Sequence, residues 1–528
     1  MRTATATSER SLLRPSGGAY DLSVVVAFPN TYHVGMSSLS VQAVYGLLAA
    51  IEGVRVERAF VPCDGGSWSA LESGATLQDF DVVAFSLSFE LDYLNVLAML
   101  EHGRIPLLAS ERTGSDPLVI AGGTAASANP APLADFLDAV LIGEAEEALP
   151  AVISTLRAAP GRAEALPALA AIEGMWVPQV NPDGPVRKLA VAELDRFETA
   201  SVFLTPHTQF SDCFLVEVGR GCGRGCRFCL AGHIYRPLRQ RTVECLVRTA
   251  KRGLRHTNRI GLLGAALSDY PNIDQLATEL ANRGADLSTS SLRIESVSPA
   301  LAQALAAGGQ RQITLAPETA SSRLRALIGK PTTDEQLFAG VQAAHAAGLK
   351  AVKLYFMIGL PTETDDEVQD IAALVARLEQ AFPQVRFSVS FAPFVPKAHT
   401  PFQWAEMASQ RVLEARTRAL KAALAHHTHA SVSAESPRWS VVQGILSRGG
   451  PELGRALLDC YRNGGTTGAF GRALRTHGLN RDAYLAPEQG PAVPLPWDFI
   501  DGAESKPALW QEWRQAISTQ DPGERLHE

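Results

Sequence analysis

The sequence predicts an α/β protein with an N-terminal doubly wound domain, a second run of six βα units and a small C-terminal accessory region. Three observations predict this class. Short apolar runs alternate with helical stretches over the first 160 residues, and the same alternation resumes after residue 213. The 528 residues are 46% hydrophobic and 20% charged, which is a globular composition with enough apolar side chains for large cores.

The N-terminal domain is predicted over residues 21–160, with five strands at SVVVAF (23–28), VRVERAF (54–60), DVVAFSL (81–87), PLVIAGG (117–123) and AVLIG (139–143). Continuous apolar strands separated by helices are typical of a parallel sheet covered on both faces. Such a doubly wound sheet binds ligands beyond the carboxyl ends of its strands, at the switch point. Residues 1–20 are predicted as a flexible tail, and residues 161–207 as a connector with a small hairpin or edge element.

The second run of βα units is predicted over residues 208–426, with strands at FLVEV (214–218), RIGLL (259–263), SLRI (291–294), QITLA (312–316), AVKLYFMIG (351–359) and VRFSVSFAPF (385–394). Six units in a row give either another open sheet or an incomplete barrel, with the functional loops at the carboxyl ends of the strands. Residues 427–528 contain short helical pieces and two glycine-rich loops, and are predicted as an accessory domain of unassigned task.

Charge and hydropathy exclude several classes of protein. A net charge of −7 gives no reason to expect nucleic acid as a partner. The chain has no run of 18 apolar residues and no apolar stretch of signal-peptide length at its start, so we expect neither membrane spanning nor secretion, and we expect a cytoplasmic location. The Ser/Thr-rich start with its arginines is predicted to be a frayed tail, with an organelle transit peptide as the alternative.

Three of the seven cysteines, Cys222, Cys226 and Cys229, fall within eight residues. An odd total with one tight cluster is not a disulfide framework and indicates a metal site in a reducing compartment. In the spacing CxxxCxxC, three thiolates can hold three corners of an iron-sulfur cube and leave the fourth iron open for catalysis. The alternative is a zinc knuckle completed by His233 or Cys213.

Charged side chains surround the cysteines. Six arginines could offset the negative charge of a cluster or clamp an anionic substrate: Arg220, Arg224, Arg227, Arg236, Arg239 and Arg241. Surface salt bridges are the simpler expectation for Arg239 and Arg241. His233 is predicted as a solvated loop residue, with a proton donor or substrate contact as the alternative.

The cysteine motif and the six βα units resemble the radical S-adenosylmethionine (radical SAM) superfamily. The resemblance implies a partial (β/α)6 barrel and one [4Fe-4S] cluster, whose open iron is chelated by the amino and carboxylate groups of SAM. One electron then cleaves SAM to methionine and a 5′-deoxyadenosyl radical, which abstracts hydrogen from an unactivated carbon. It also implies an external one-electron donor of the flavodoxin or ferredoxin type.

The same resemblance implies a set of SAM-contacting residues: Phe228 within the motif, Gly264 and Ala265 after the second strand, Glu318 at the end of the fourth strand, and Met357 and Ile358 at the end of the fifth. The family often has Gly-Gly-Glu after the second strand, and here the glutamate is missing. Glu318 could instead cap the next helix. Met357 and Ile358 could equally be ordinary core residues.

The N-terminal domain resembles the cobalamin-binding domain of B12-dependent radical SAM proteins. The likeness rests on FPNTYHVGMSSLSVQAVYGLL, DVVAFSLSFELDYLNVLAML, PLVIAGGTAASANPAPLADFLDAVLIGEAEEALP and FVPKAHTPFQW. It implies cobalamin contacts at Asn30, Gly35, Ser86, Ser88, Gly122, Gly123, Gly143 and Glu144. The Asp-x-His-x-x-Gly motif that gives cobalt a histidine is absent, because His33 is two rather than three residues before Gly35. The alternative is a domain that has lost the cofactor and shields the barrel.

Together these resemblances imply a cobalamin-dependent methyltransferase that acts on an unactivated carbon of an unidentified substrate. Two alternatives stay open: a B12-assisted rearrangement, ring formation or sulfur insertion, and a non-catalytic iron-sulfur or zinc module. Methylthiotransferases are disfavoured because their N-terminal domain carries a cysteine triad, whereas here it contains only Cys63. No catalytic side chain is assigned beyond the cluster ligands.

Overall fold

The computed structural model describes residues 8–13, 18–63, 65–425, 430–486 and 490–518. The chain divides into two compact units. The first comprises Met1–Leu215, Leu446–Arg481 and Pro494–Ala503, and the second comprises Val216–Ile445, Asp482–Val493 and Glu504–Glu528. Residues 427–528, predicted as a separate accessory domain, are therefore shared between the two units. No helix among the described residues is both long enough and apolar enough to cross a membrane.

The first unit contains a six-stranded sheet and several short strands. The strands are β1 (Arg10–Ser11), β2 (Leu22–Thr31), β3 (Val54–Val61), β4 (Val82–Ser86), β5 (Leu118–Gly122), β6 (Ala139–Leu141), β7 (Met175–Trp176), β8 (Val186–Arg187) and β9 (Phe203–Leu204), together with a distant β19 (Ile500–Asp501). The helices are α1 (Tyr32–Ser37), α2 (Leu39–Ala49), α3 (Tyr93–His102), α4 (Thr124–Ala128), α5 (Leu149–Ala158) and α6 (Arg162–Ala170).

The main sheet has the strand order β3-β2-β4-β5-β6-β7. The first five strands are parallel, and β7 adds to the edge in antiparallel orientation. All five predicted strands are confirmed, because their continuous apolar runs are buried on both faces. The edge element predicted within the connector is β7.

The predicted N-terminal tail is ordered in part. Strand β1 pairs antiparallel with β9, with Arg10 opposite Leu204 and Ser11 opposite Phe203. The backbone amide of Leu12 also donates to Val202 O at 2.9 Å. The prediction of a flexible tail is wrong for these residues, because the edge of β9 gives their backbone a partner. Residues 1–7 and 14–17 lie outside the described residues.

The second unit contains the remaining elements. Its strands are β10 (Phe214–Glu217, which begins at the boundary), β11 (Gly219–Arg220), β12 (Arg239–Gln240), β13 (Arg259–Leu263), β14 (Asp286–Thr289), β15 (Gln312–Glu318), β16 (Ala351–Ile358), β17 (Arg386–Pro393) and β18 (Ala430–Ala434). Strands β10-β13-β14 form one sheet and the parallel strands β15-β16-β17-β18 form another.

The helices that follow these strands are α7 (Leu230–Ile234), α8 (Val243–Gly253), α9 (Ile273–Ala281), α10 (Pro299–Ala307), α11 (Ser322–Leu327), α12 (Asp334–Ala346), α13 (Asp365–Ala381) and α14 (Gln410–Leu424). The C-terminal helices of the chain are α15 (Pro437–Arg448), α16 (Leu453–Arg462), α17 (Thr467–Thr476), α18 (Arg481–Leu485) and α19 (Lys506–Ser518). The alternation of strand and helix predicted for this region is confirmed.

Two strands of the second unit differ from the prediction. The strand predicted at 291–294 is wrong, because β14 lies at Asp286–Thr289 and Ile294–Ser296 forms a short 3-10 turn. Leu292 and Ile294 are buried although they lie outside any strand, so their apolar character indicates burial rather than a strand. Strand β18 was not predicted, since Ala-Ser-Val-Ser-Ala has no apolar run.

A buried ion-pair network ties the first unit together. The side chain of Asp138 is fully buried, and its carboxylate pairs with Arg112 (3.0 Å) and with Arg162. It also accepts the Val119 amide of β5 at 2.7 Å. Arg112 in turn donates to the carbonyl of Phe136 at 2.7 Å. These polar contacts link the start of α6 to the amino ends of β5 and β6.

Substitution Asp138→Asn should lower the free energy of unfolding of the chain by about 3–5 kcal/mol, since it leaves two buried guanidinium groups without their carboxylate. Chemical denaturation followed by circular dichroism measures this. The matched control Asp183→Asn, at an exposed loop position, should stay within about 0.5 kcal/mol of wild type. A loss below about 1 kcal/mol for Asp138→Asn would contradict the role of the network.

Candidate functional site

The three clustered cysteines lie in one loop of the second unit. Cys222, Cys226 and Cys229 fall between β11 and α7, and Cys229 is the N-cap residue of α7. The backbone at the start of this loop has a left-handed conformation at Gly221, whose φ is +81°. A Cβ at Gly221 would come within 2.3 Å of Tyr235 O. Only glycine therefore allows this path of the backbone.

The loop rests on the end of α11. The amide of Arg227 donates to Ile328 O at 2.9 Å, and its guanidinium donates to Leu327 O at 2.8 Å. The backbone is equally close at Gly329 (φ +70°), where a Cβ would lie 2.3 Å from Gly225 O. The cysteine loop is thus held against a second segment of the same unit by main-chain contacts.

The thiols interact with one another and with two cations. Burial, together with the charges of the neighbouring Cys226 and Cys222 thiolates, raises the pKa of Cys229 to about 11. Burial also raises the pKa of Cys226, while the charges of Lys330 and Arg293 act in the opposite direction. The three sulfurs are therefore close enough to repel one another as thiolates, and a bound cation would relieve that repulsion.

The three thiols are the donor set that an iron-sulfur cube needs from a protein. In such a cube each cysteine sulfur binds a different iron, and three cysteines leave the fourth iron open. Within the described ranges, no three His, Cys, Asp or Glu side chains form a group that could hold a single metal ion. The three cysteines therefore suit a cube, and the zinc knuckle stays the alternative prediction.

His233 is buried, with 3% of its surface exposed, so the prediction of a solvated loop histidine is wrong. Its Nδ1 lies 2.5 Å from Glu504 Oε2, and its Nε2 lies 3.2 Å from Cys226 O. Arg236 pairs with the same Glu504 carboxylate. Burial alone would raise the pKa of Glu504. The hydrogen bond and charge of His233 and the charge of Arg236 outweigh burial and lower this pKa below its usual value. His233 thus connects a remote carboxylate to the backbone of a predicted cluster ligand.

The C-terminal helix α19 contacts the same loop a second time. Glu512 lies 3.4 Å from the guanidinium of Arg227. The ring of Trp513 packs edge-on against Phe402, with centroids 5.5 Å apart. Ala516 belongs to an apolar cluster, against which Phe228 and Met357 pack; its other members are Leu324, Leu327, Ile328, Leu360, Phe394, Phe402 and Ala405. Two predicted SAM-contacting residues therefore share one apolar layer with α19.

All six arginines near the cysteines are engaged by groups of this chain. Arg220 and Arg241 pair with Glu217, Arg224 pairs with Asp269, Arg236 pairs with Glu504, and Arg227 and Arg239 donate to backbone carbonyls. The prediction of a surface salt bridge is wrong for Arg241, whose side chain is only 3% exposed. These arginines set the electrostatics of the loop, and their partners are already in place.

Glu318 occupies a strained position at the carboxyl end of β15. Its φ is +67°, which is unusual for a non-glycine residue, and it follows a register shift between β15 and β16. Its carboxylate accepts from Lys330 Nζ at 2.8 Å. The alternative role as a helix cap is excluded, since Ser321 caps α11. The structure places the Glu318–Lys330 pair beside Cys226, whose pKa both residues influence.

The remaining predicted SAM-contacting residues lie at the ends of β13 and β16. Gly264 follows β13, and a Cβ there would meet Gly219 O at an ordinary 3.7 Å. Ala265 is exposed and Met357 is partly buried. Ile358 is fully buried and points to the opposite face of β16. This burial favours the alternative that Ile358 is an ordinary core residue.

The turn after β16 is shaped by a buried carboxylate. Burial raises the pKa of Glu363 to about 7, against the opposing effects of the Gly359 amide and Arg416. Gly359 has φ +81° and Thr362 has φ +62°. A Cβ at Gly359 would clash with Leu413 at 2.6 Å. The turn after β16 is therefore held by its own glutamate, whose carboxylate accepts the Gly359 amide.

In the first unit, the strand order places the switch point between β2 and β4. Asn30, near the end of β2, donates to Asp92 at 2.8 Å, and burial raises the pKa of Asp92 to about 6. Ser88 is exposed just after β4, while Ser86 is buried as its last residue. Three of the predicted cobalamin residues therefore meet at this edge.

Two exposed apolar side chains border the same edge. Val34 follows β2 with 45% of its surface exposed, and Phe89 follows β4 with 39% exposed. We call the edge formed by Asn30, Val34, Ser88 and Phe89 the switch-point edge. Its mixture of apolar surface and short polar groups is suited to a large, largely apolar ligand with polar substituents.

Four other predicted cobalamin residues serve packing within the chain. A Cβ at Gly35 would lie 2.6 Å from the Phe60 ring. A Cβ at Gly123 would lie 2.5 Å from Leu87 O, and one at Gly143 would lie 2.3 Å from Leu189 O. Glu144 is buried and accepts the Val191 amide at 2.8 Å. Gly122 has only an ordinary 3.6 Å contact. At Gly35, Gly123 and Gly143 the missing Cβ makes room for the protein's own rings and backbone. The assignment of these residues and of Gly122 and Glu144 as cobalamin contacts stays a prediction.

Sequence reasoning did not identify Lys330, Arg293 or Glu504. Lys330 and Arg293 are ordinary surface types whose approach to Cys226 depends on the tertiary fold. Glu504 lies near the end of the chain, far from the motif that it contacts. No local pattern signals any of the three.

Substitution Glu504→Ala should loosen the cysteine loop, because it removes the shared partner of His233 and Arg236. Hydrogen exchange of the cofactor-free chain, read by mass spectrometry, should show at least tenfold faster exchange in peptides covering residues 226–236. The matched control Glu279→Gln removes an exposed ion pair with Arg283 and should leave those peptides unchanged. Equal exchange in Glu504→Ala and wild type would contradict the bracing role.

Two family models match the chain. The model described as radical SAM proteins, N-terminal, matches residues 40–178, and the model of the radical SAM superfamily matches residues 216–375. An uncharacterized protein of Methanocaldococcus jannaschii is 28% identical over 450 residues, which is 83% of this chain and 91% of that protein. An uncharacterized methyltransferase of Pyrococcus horikoshii is 29% identical over 117 residues, only 22% of this chain and 25% of that protein.

Solved structures share the fold at low identity. The radical SAM methyltransferase TsrM of Kitasatospora setae, with cobalamin and a [4Fe-4S] cluster bound, aligns with a TM-score of 0.54 at 13% identity, covering 86% of this chain and 99% of that one. The cobalamin-dependent SAM radical enzyme OxsB, with aqua-cobalamin bound, aligns with a TM-score of 0.52 at 15% identity, covering 75% and 61%. From its two matching models and its cysteine loop, the chain belongs to the radical SAM superfamily.

Proposed function

We propose that this protein is a radical SAM enzyme that holds a [4Fe-4S] cluster through Cys222, Cys226 and Cys229, and that it methylates an unactivated carbon with the help of cobalamin. The observation that carries the proposal is the cysteine loop. Three partly buried thiols lie on one glycine-shaped loop in the region that the superfamily model matches, and the charges of Lys330 and Arg293 act on Cys226.

When bound, the cluster and SAM would supply reductive cleavage of the sulfonium and a 5′-deoxyadenosyl radical, and methylcobalamin would supply a methyl group. The residues of the chain prepare the site for this chemistry. Lys330 and Arg293 offset the negative charge of the thiolates, and Lys330 also orients the Glu318 carboxylate, the predicted partner of the polar part of SAM. Met357 and Phe228 offer the apolar surface on which an adenine could lie.

Support for cobalamin comes from the first unit. TsrM and OxsB share the fold over most of this chain, and their structures contain cobalamin. The switch-point edge is the part of the sheet where a doubly wound fold binds ligands, and Val34 and Phe89 expose apolar surface there. His33 is exposed and contacts His207 O at 3.1 Å. We expect the cobalt to have no histidine ligand from this chain.

The anaerobically reconstituted chain should bind about four irons and form 5′-deoxyadenosine from SAM with a strong reductant. Replacing Cys222, Cys226 and Cys229 together with alanine should abolish both, since no cluster can be held. The matched control Cys63→Ala, at an exposed cysteine of the first unit, should retain both. Liquid chromatography with mass spectrometry measures the nucleoside.

Different outcomes of this assay separate the candidate functions. Zinc binding without iron would overturn the cluster assignment. Iron binding without 5′-deoxyadenosine would indicate a non-catalytic iron-sulfur module. Formation of S-adenosylhomocysteine alongside 5′-deoxyadenosine indicates methyl transfer, whereas its absence in the presence of substrate would favour rearrangement or ring formation.

Hydroxocobalamin should bind the full-length chain and give a corrin absorbance band that remains after gel filtration. Substitution Ser88→Trp should weaken this binding at least tenfold, because a large side chain would fill the switch-point edge. The matched control Ser115→Trp, at an exposed position before β5, should bind as wild type does. Absence of the band in wild type, or equal binding by Ser88→Trp, would overturn the assignment of cobalamin to this edge.

A further inference from the structure

The four-stranded sheet β15–β18 has two unlike faces. One face is packed into the core, and residues of its three longer strands, such as Ile313, Leu354 and Val389, are at most 1% exposed. The other face is accessible and carries Thr314, Lys353, Tyr355, Ser388, Ser390, Ser431 and Ser433. The interior of a parallel barrel is usually filled with branched apolar side chains. Here the middle of that face carries hydroxyl groups, one ammonium and one phenol, and the row at its amino end carries Gln312 and Arg386.

Strand register places these side chains in two rows. Thr314, Lys353, Ser388 and Ser431 form the first row, and Tyr355, Ser390 and Ser433 form the second, which is nearer the carboxyl ends. The hydroxyls of Ser388 and Ser431 lie 2.9 Å apart across two strands. Because serine and threonine are short, the rows leave space in front of the sheet and line it with donors.

Lys353 supplies the charge within the two rows, and Arg386 lies one row farther from the carboxyl ends. Its Nζ lies 4.7 Å from the centre of the Tyr355 ring, so the ammonium reaches toward the second row. Tyr355 is 39% exposed, which shows that the face is open there. None of the ion pairs of the described residues includes Lys353, in contrast to the arginines near the cysteines. A positive charge therefore faces the open space without a carboxylate of this chain.

From this juxtaposition we propose that the face binds an oxyanion of the substrate, a carboxylate or a phosphate, through Lys353 and the neighbouring hydroxyls. The proposal rests on the proposed function and specifies the chemical class of its substrate. An ammonium with hydroxyl donors recognises a carboxylate or phosphate by charge-assisted hydrogen bonds.

The geometry also limits the length of the substrate. Parallel strands rise about 3.3 Å per residue, so the carboxyl edge at Met357 lies roughly 7 Å beyond the row of Tyr355 and roughly 13 Å beyond that of Lys353. Glu318, a predicted SAM contact, stands at this edge and accepts from Lys330. In the proposed function the radical forms at this edge, so the carbon that reacts would be separated from the anionic group by roughly 7–13 Å.

The test titrates the full-length chain, without SAM, with inorganic phosphate and separately with succinate, against sodium chloride of equal ionic strength. Thermal unfolding should show a saturable increase in midpoint with at least one of the two anions. Substitution Lys353→Met should weaken that apparent affinity at least tenfold, and Lys353→Arg should restore most of it. The matched control Lys350→Met, at an exposed lysine just before β16, should titrate as wild type does.

Saturation with phosphate alone assigns a phosphate group, and saturation with succinate alone assigns a carboxylate. No saturable effect beyond that of chloride, or equal affinities of Lys353→Met and wild type, would overturn the proposal. Because the titration contains no SAM and no cluster is required, its result is independent of the 5′-deoxyadenosine assay. Failure of the proposed function and failure of the anion site are therefore distinguished.

Discussion

Three partly buried thiols share one loop, and in the proposed holoenzyme all three must act as thiolate ligands; contacts from several parts of the second unit brace this loop. Burial and the charges of neighbouring thiolates together raise the pKa of Cys229 to about 11. An unassisted loop would favour protonated thiols or would move apart. Lys330 and Arg293 act against this at Cys226, and the bound irons complete the compensation in the proposed holoenzyme.

The means of holding the loop come from distant parts of the sequence. Gly221 and Gly329 permit close main-chain contacts. Glu318 has a strained backbone conformation and contacts Lys330. Glu504 contacts His233 and so supports the loop. Parallel strands explain why these groups can meet, since their carboxyl ends share one edge. Strain at Glu318 persists because the Lys330 contact and the β16 pairing over-determine its position.

Apolar runs and cysteine spacing predicted the parts of the structure that depend on local sequence. Ten of the eleven predicted strands exist near their expected positions, because runs of β-branched and apolar residues that are buried on one or both faces mark them. The exception, residues 291–294, is apolar but belongs to a loop and a short 3-10 turn, and β18 is a strand without an apolar run. The pattern of apolar residues in a sequence indicates which residues are buried. It does not predict a strand correctly where residues are buried without pairing in a sheet, or pair in a sheet without being buried.

Glycine and charged residues mark the limit of such reasoning. A glycine in a sequence signals a missing Cβ, but the space can receive a ligand or the protein's own backbone. At Gly123 and Gly143 the chain itself fills it. His233 shows the same limit, since only the fold reveals that Glu504 lies beside it. Roles that depend on what lies opposite a residue, rather than on its neighbours in sequence, cannot be predicted from one sequence.

The distribution of charge in the second unit separates two tasks. Around the cysteines, the carboxylates of Glu217, Asp269 and Glu295 are each paired with arginine, so this side is close to neutral before any metal binds. Across the accessible face of β15–β18, Lys353 stands without such a partner among the described residues. Arginine pairs with fixed geometry suit a site that must keep three ligands in place, whereas a single flexible ammonium suits a group that arrives and leaves. In the proposed holoenzyme the paired side would therefore hold the resident cofactor, and Lys353 would meet the anionic group of the substrate.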